Sequence, residues 1–303
     1  MHGPIAYLNG ILLPPGELHL PLHDAGFVFG ATVTDLCRTF HHRLFRWQDH
    51  LDRFRRSCDA ACVPQPVGDD ELTRIAEHLV TRNGALLEPE QDLALVLIAT
   101  PGPIGYYAGQ SGGPPDVAPT LALHTFPLPY ARYAGLFREG AHLVVPQTRH
   151  VPAACIDPRI KQRSRLHWWL AEREARRADP VASALVLDTE GHVTETAAAN
   201  FLLVRDGIVY TPPRDTVLAG ISLRVTEELC KELNIGFEER HLSLDDCLAA
   251  DEAMLSSTPF CLAGVSRING VPLPWPGPVF ETLLAGWDSC AGLNVRRQIW
   301  PGF

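Results

Sequence analysis

The chain has 303 residues, 46% of them hydrophobic and 20% charged, and 26 Lys and Arg against 35 Asp and Glu give a formal net charge of −9. Such a length fits two packed lobes better than one core, and the composition is too apolar for disorder. An acidic surface argues against duplex nucleic acid or anionic membrane as a partner, because both need clustered positive charge.

The N-terminus opens with a hairpin, IAYLNGILL, turned at Asn9-Gly10. A second hairpin-like segment, TDLCRTFHHRLFRW, follows GFVFGATVT. HLDRFRRSCDAACV and DDELTRIAEHLVTRNG read as helices, the latter from Leu72, Ile75, Leu79 and Val80 at helical spacing. DLALVLIAT and PTLALHTF are apolar enough for buried strands, with a Gly/Pro-rich loop from Pro101 to Pro119 between them. FPLPYARYAG, at about residues 126–135, reads as an extended linker. It separates a small N-terminal α/β domain (1–125) from a larger C-terminal one (136–303).

Beyond the linker come strand AHLVVPQ, helix RSRLHWWLAEREARRA and hairpins turned at Glu190-Gly191 and Asp206-Gly207. A helix from about Gly220 to Asn234 presents Ile221, Val225, Leu229 and Leu233 on one face. Strand GFEERHL, helix SLDDCLAA, strand EAMLSST, a hairpin at Asn269-Gly270 and helix VFETLLAGW close the chain. Mixed strands and helices with many hairpins argue an α+β protein in two lobes. No run of about 18 uncharged apolar residues is present, so no transmembrane helix is expected. The N-terminus lacks a basic stretch before an apolar core, so the expected location is the cytoplasm. The eight cysteines are scattered, read as reduced thiols, and suggest no metal site.

The 26 basic residues are 24 Arg and two Lys, Lys161 and Lys231. Where Arg has displaced Lys so thoroughly, a surviving Lys points to chemistry that guanidinium cannot do, such as losing a proton and attacking a carbonyl. Lys231 lies in the amphipathic EELCKELN, and Lys161 in the less regular CIDPRIKQRSRLHWW, so Lys161 is the candidate. A Schiff-base lysine needs a carbonyl partner, and pyridoxal 5′-phosphate is the common resident one. Its phosphate needs a helix N-terminus with an Arg or hydroxyls, and its pyridine nitrogen a carboxylate. LAGIS (218–222) before a helix, SST (256–258) at a strand end and Glu195 in HVTETAAAN are candidates for these parts.

Taken together, GFVFGATVTD, HLDRFRRS, Lys161 with TETAAANF 34 residues later, TPP…LAGIS and SST resemble, in order, the class IV (fold type IV) pyridoxal-phosphate aminotransferases. That family holds branched-chain aminotransferases, D-amino-acid transaminases and aminodeoxychorismate lyases, and the resemblance runs from about residue 6 to residue 285. It implies a small α/β lobe and a larger lobe around a barrel-like sheet, in a homodimer. Lys161 resembles the lysine bound to the cofactor, and Glu195 the carboxylate on its pyridine nitrogen. Arg53 resembles the phosphate-binding arginine, Ile221, Ser222 and Thr258 the other phosphate contacts, and Leu218 the residue packed on the ring. Asn200 reads as structural.

The resemblance implies amino-group transfer between an amino acid and a 2-oxo acid. The alternatives are an aminodeoxychorismate-type lyase and a non-catalytic relative. The substrate pocket departs from the branched-chain pattern: Phe29 and Leu166 stand for tyrosines, and Leu93 and Leu95 for a tyrosine and an arginine. Apolar lining favours a donor with an apolar side chain, branched-chain-like or a D-amino acid. A carboxylate donor is expected from Arg38, Arg163, Arg165, Tyr106 or Tyr130, with Arg38 the first choice.

Overall fold

A computed structural model describes residues 3–109 and 118–302, so most of the second half of the 101–119 loop lies outside the described residues. The chain divides into two units, Met1–Leu128 with Ile160–Ser164, and Pro129–Arg159 with Arg165–Phe303.

The first unit contains strands β1 (Ala6–Leu8), β2 (Ile11–Leu13), β3 (Val33–Phe40), β4 (Arg43–Leu44), β5 (Leu93–Thr100) and β6 (Thr120–Pro127). They form one antiparallel sheet in the order β2-β1-β6-β5-β3-β4. The β1–β2 turn is made by Asn9 (φ 47°) and Gly10 (φ 92°), the left-handed pair that a two-residue hairpin requires. Helices α1 (Ala25–Val28), α2 (Trp47–Ala60) and α3 (Asp69–Gly84) complete the unit. Leu51 and Phe54 of α2 and Leu72, Leu79 and Val80 of α3 pack with Leu95, Leu97 and Leu123 of the sheet. Strand alternation puts Leu93 on that same helix-covered side. Leu93 and Leu95 are therefore core residues rather than pocket lining, a correction to the expectation from sequence. The other side of the sheet carries Thr34, Leu36 and Arg38 opposite Ile98, Val96 and Ala94.

Residues 160–164 join this unit as an added edge. Gln162 bridges Val33, Thr34 N–H donates to Lys161 O at 2.9 Å, and Arg163 N–H donates to Thr32 O at 2.9 Å.

In the second unit, the segment read as linker instead forms α4 (Tyr130–Arg138), after β6 has run to Pro127. Pro129 immediately precedes that helix, where a missing N–H loses no intrahelical bond. The strands that follow are β7 (Ala141–Val144), β8 (Ser183–Leu187), β9 (Val193–Thr196), β10 (Asn200–Arg205), β11 (Ile208–Thr211), β12 (Gly236–Glu239), β13 (Glu252–Ser257), β14 (Cys261–Ile268) and β15 (Val271–Pro272). Six of them close into a barrel-like ring, β10-β13-β14-β7-β8-β9, because β9 pairs back onto β10. β11 and β12 extend from β10, and β15 folds back on β14.

The ring is parallel only across β14-β7-β8, where α5 (Leu166–Ala178) connects β7 to β8. Trp168, Ala171 and Ala175 of α5 pack on Ala184 and Val186 of β8. The remaining helices are α6 (Ile221–Glu232), α7 (Leu244–Leu248), α8 (Pro278–Ala291) and α9 (Val295–Ile299). α1 and α9 are short helices that no sequence pattern announced.

Among the described residues, no helix is long and apolar enough to cross a membrane. None of the eight cysteines, all among the described residues, forms a disulfide.

Candidate functional site

The residues expected to hold a cofactor fall into two groups, one in each unit. In the second unit the centre is Glu195 on β9, only 8% exposed. Cross-strand pairing sets Asn200 opposite it. Asn200 Nδ2 donates to Glu195 Oε2 at 3.1 Å and to Leu218 O at 2.8 Å, while Leu218 N–H donates to Glu195 Oε1 at 3.3 Å. Asn200 thus ties the acid to the turn that leads into α6. Its Oδ1 lies 2.1 Å from where a Cβ on Gly220 would stand, so only glycine lets that turn approach. Through these bonds Asn200 orients the buried Glu195 carboxylate.

The turn delivers the N-terminus of α6. Gly220 is its N-cap and no side chain caps it, although Ile221 and Ser222 are buried. Uncapped first-turn amides at a buried helix end favour an anion, by direct N–H donation and by the helix dipole. Thr258 is half-buried just beyond β13, near Ser256, whose buried hydroxyl has no hydrogen-bond partner. Leu218 is half-buried between Glu195 and α6. Tyr130 begins α4 and is half-buried. Leu166 is 70% exposed at the start of α5.

In the first unit, Arg53 of α2 is almost fully buried. Its Nε and one Nη donate to the two oxygens of Asp35 at 2.8 Å each, and His50 Nδ1 lies 2.8 Å from the same carboxylate. Burial alone would raise the Asp35 carboxyl. The Arg53 charge, then His50, reverse that and hold it well below the usual carboxylate range. Burial is also the largest influence on His50 and pushes it down, with the Arg53 and Lys161 charges adding to it against the pull of Asp35. One turn along α2, Ser57 Oγ accepts from Lys161 N–H at 3.2 Å. Arg53 and Lys161 are therefore both attached to α2, one covalently and one through this bond. Asp35 had no sequence signal beyond being a charge inside an apolar strand.

Two expected substrate residues differ in character. Phe29 is 67% exposed, edge-on to Tyr107 with ring centroids 6.5 Å apart. Arg38 is 1% exposed, with its guanidinium 3.9 Å above the Phe40 ring, Nε donating to Thr39 O, and Asp92 3.8 Å away. That guanidinium is committed to the interior of its own unit, so the choice of Arg38 as carboxylate donor is withdrawn.

A phosphorylated pyridine asks for an uncapped helix end, hydroxyls, an arginine, a buried carboxylate and an amine, and the residues present fit that list. Comparison with known proteins gives the same direction. The sequence pattern of the family described as amino-transferase class IV matches residues 32–268. A Methanocaldococcus jannaschii protein provisionally named as a branched-chain-amino-acid aminotransferase is 27% identical over 87% of this chain and 88% of its own. A D-alanine aminotransferase of Staphylococcus aureus is 26% identical over 93% and 96%. Among solved structures, the Escherichia coli branched-chain aminotransferase superposes with a TM-score of 0.86, covering 95% of this chain and 94% of its own at 22% identity. A T.th. branched-chain aminotransferase, solved with pyridoxamine 5′-phosphate, superposes with a TM-score of 0.83 at 23% identity, covering 99% and 97%.

Proposed function

The chain belongs to the class IV aminotransferases, enzymes that move amino groups with pyridoxal 5′-phosphate, and on that premise we propose how its own residues divide the work. When bound, the cofactor supplies an aldehyde for an amine and a ring that withdraws electrons from the reacting carbon. Arg53, the Ile221 and Ser222 amides, and the Ser222 and Thr258 hydroxyls bind its phosphate. Leu218 packs on its face, and Glu195 accepts the hydrogen bond of its pyridine nitrogen and keeps the proton there. Lys161 would hold the aldehyde through its Nζ, and as a free amine the same Nζ would serve as general base, taking the α-proton and returning it one bond further on.

The amino donor has an apolar side chain, branched-chain-like or that of a D-amino acid, and the acceptor is a 2-oxo acid. Phe29 and Tyr130 contact the donor. Eight reduced thiols suit a reducing compartment, and the enzyme acts as a homodimer in the cytoplasm.

The observation that carries this reading is the Glu195 carboxylate, nearly buried and bonded by the Asn200 amide and the Leu218 N–H, beside a buried helix end that no side chain caps. The test is a donor screen with the purified protein and L- and D-amino acids in the absence of acceptor. Transamination predicts one equivalent of 2-oxo acid per site and conversion of the cofactor absorption to that of its amino form, with apolar donors ahead of acidic ones. Multiple turnovers releasing pyruvate without acceptor would instead identify a lyase, and a screen in which no donor changes the absorption would refute the reading.

A further inference from the structure

Glu195 has a titratable neighbour that the division of labour above does not use. His150 lies on the segment after β7, held to the end of β8 by its N–H donating to Leu187 O at 2.9 Å. Its imidazole is 10% exposed, and its Nε2 stands 3.9 Å from Glu195 Oε1. The other ring nitrogen, Nδ1, is 2.9 Å from Val151 O. A carbonyl can only accept, so Nδ1 carries the hydrogen. In the neutral ring, Nε2 then carries a lone pair 3.9 Å from a carboxylate oxygen, and it bears a hydrogen only when the ring is charged.

We propose that His150 is a positioning residue for Glu195: its tautomer is fixed by the Val151 carbonyl, so protonation of its Nε2 places a positive charge 3.9 Å from Oε1 and deprotonation withdraws it. This inference rests on the reading of Glu195 as the partner of the pyridine nitrogen. With His150 neutral, Glu195 keeps the proton on the cofactor ring. With His150 charged, the imidazolium competes for the same carboxylate and the ring nitrogen is held less well.

The surroundings bias that balance. His167 and Trp168 of α5 both stand edge-on to the ring, with centroids 5.5 and 5.4 Å away, and His167 Nε2 is buried without a partner. Asp188, at the end of β8, contributes a favourable charge. Burial is the larger influence and pushes His150 down, so the neutral ring prevails at neutral pH. His167 is pushed down further, to about 4, by burial and then by the His150 and Arg165 charges, so it adds no positive charge above pH 5.

Long-range ¹H–¹⁵N spectra of cofactor-loaded protein labelled at histidine, recorded from pH 4.5 to 8.5, test this. His150 is assigned by its loss in His150→Asn. The expected spectrum has Nδ1 protonated and Nε2 as a lone pair at pH 7.5. Replacing the carboxylate in Glu195→Gln should lower the His150 midpoint by about one pH unit, because a charge at 3.9 Å favours the imidazolium. In wild-type enzyme, kcat should fall on the acid side with that same midpoint, and this limb should vanish in His150→Asn. An Nε2–H tautomer at neutral pH, or a midpoint unmoved by Glu195→Gln, would overturn the proposal. Glu195→Gln leaves His150 intact, so the midpoint shift is read on the native imidazole. If Glu195→Gln leaves the cofactor absorption unchanged, it is the reading of Glu195 that fails, and the two failures are distinguishable.

Discussion

Asp35→Asn removes one charge from the interior of the first unit, and its consequence can be worked from the contacts. Asp35 is fully buried. Oδ1 accepts from Leu36 N–H at 2.7 Å, from Arg53 at 2.8 Å and lies 2.8 Å from His50 Nδ1, while Oδ2 accepts from Arg53 Nε at 2.8 Å. An asparagine there must turn an NH2 toward at least one of these donors and leave the Arg53 guanidinium without its counter-charge. Breaking a buried pair from one side typically costs about 3–5 kcal/mol. At about 2–4 °C per kcal/mol, the unfolding temperature should fall by roughly 10 °C.

The pH dependence has a definite sign. A carboxyl with a depressed folded-state pKa contributes stability that is present above its unfolded value of about 3.9 and is lost as pH falls through the folded value. The full difference from wild type should therefore be seen at pH 7 and shrink only below about pH 4. Calorimetry and urea unfolding of wild type, Asp35→Asn, Arg53→Met and the double variant form the assay. The double variant should cost little more than either single one, since one substitution already strands the other partner. A loss under about 1 kcal/mol, or simple additivity, would refute the reasoning.

Gly220→Ala would place a methyl group on Asn200 Oδ1, so Asn200 must shift and release Glu195 or Leu218. Overpacking of this kind costs about 1–3 kcal/mol, and we expect cofactor to bind about tenfold more weakly in equilibrium dialysis. Unchanged retention would separate Asn200 from the cofactor group. His167 is held neutral with a depressed folded-state pKa of about 4. Stability is then complete above its unfolded value of about 6.5 and declines as pH falls toward the folded value. His167→Phe should flatten the loss of urea midpoint between pH 7.5 and 5.0 by an amount equivalent to about 1 kcal/mol after solvent screening. Equal losses in the two proteins would contradict this.

Much of this fold is written in local patterns. The Asn9-Gly10 turn, the helical spacing of Leu72, Ile75, Leu79 and Val80, and the glycine before α6 each name their own conformation. The scarcity of lysine is a signal of the same local kind, and it points to Lys161 as the candidate amine. What local patterns cannot carry is the facing of a strand whose residues are apolar on both sides. LALVLIAT has no polar alternation, so nothing in it assigns Leu93 and Leu95 to the helices rather than to a pocket. Arg38 failed for a related reason: an arginine in a strand looks available until Asp92, far along the chain, and the Phe40 ring are seen to enclose it. His150 and Asp35 were invisible because their partners come from other elements. Pro127 and Pro129 look like linker punctuation, whereas Leu128 between them is buried and α4 begins directly after.

Reduction of the cofactor-loaded protein with borohydride, followed by proteolysis and mass spectrometry, bears most directly on the whole account. With only two lysines in the chain, the outcome is unambiguous. A pyridoxyl group retained on the peptide that carries Lys161 is the result expected. Label on Lys231, or on neither, would contradict it.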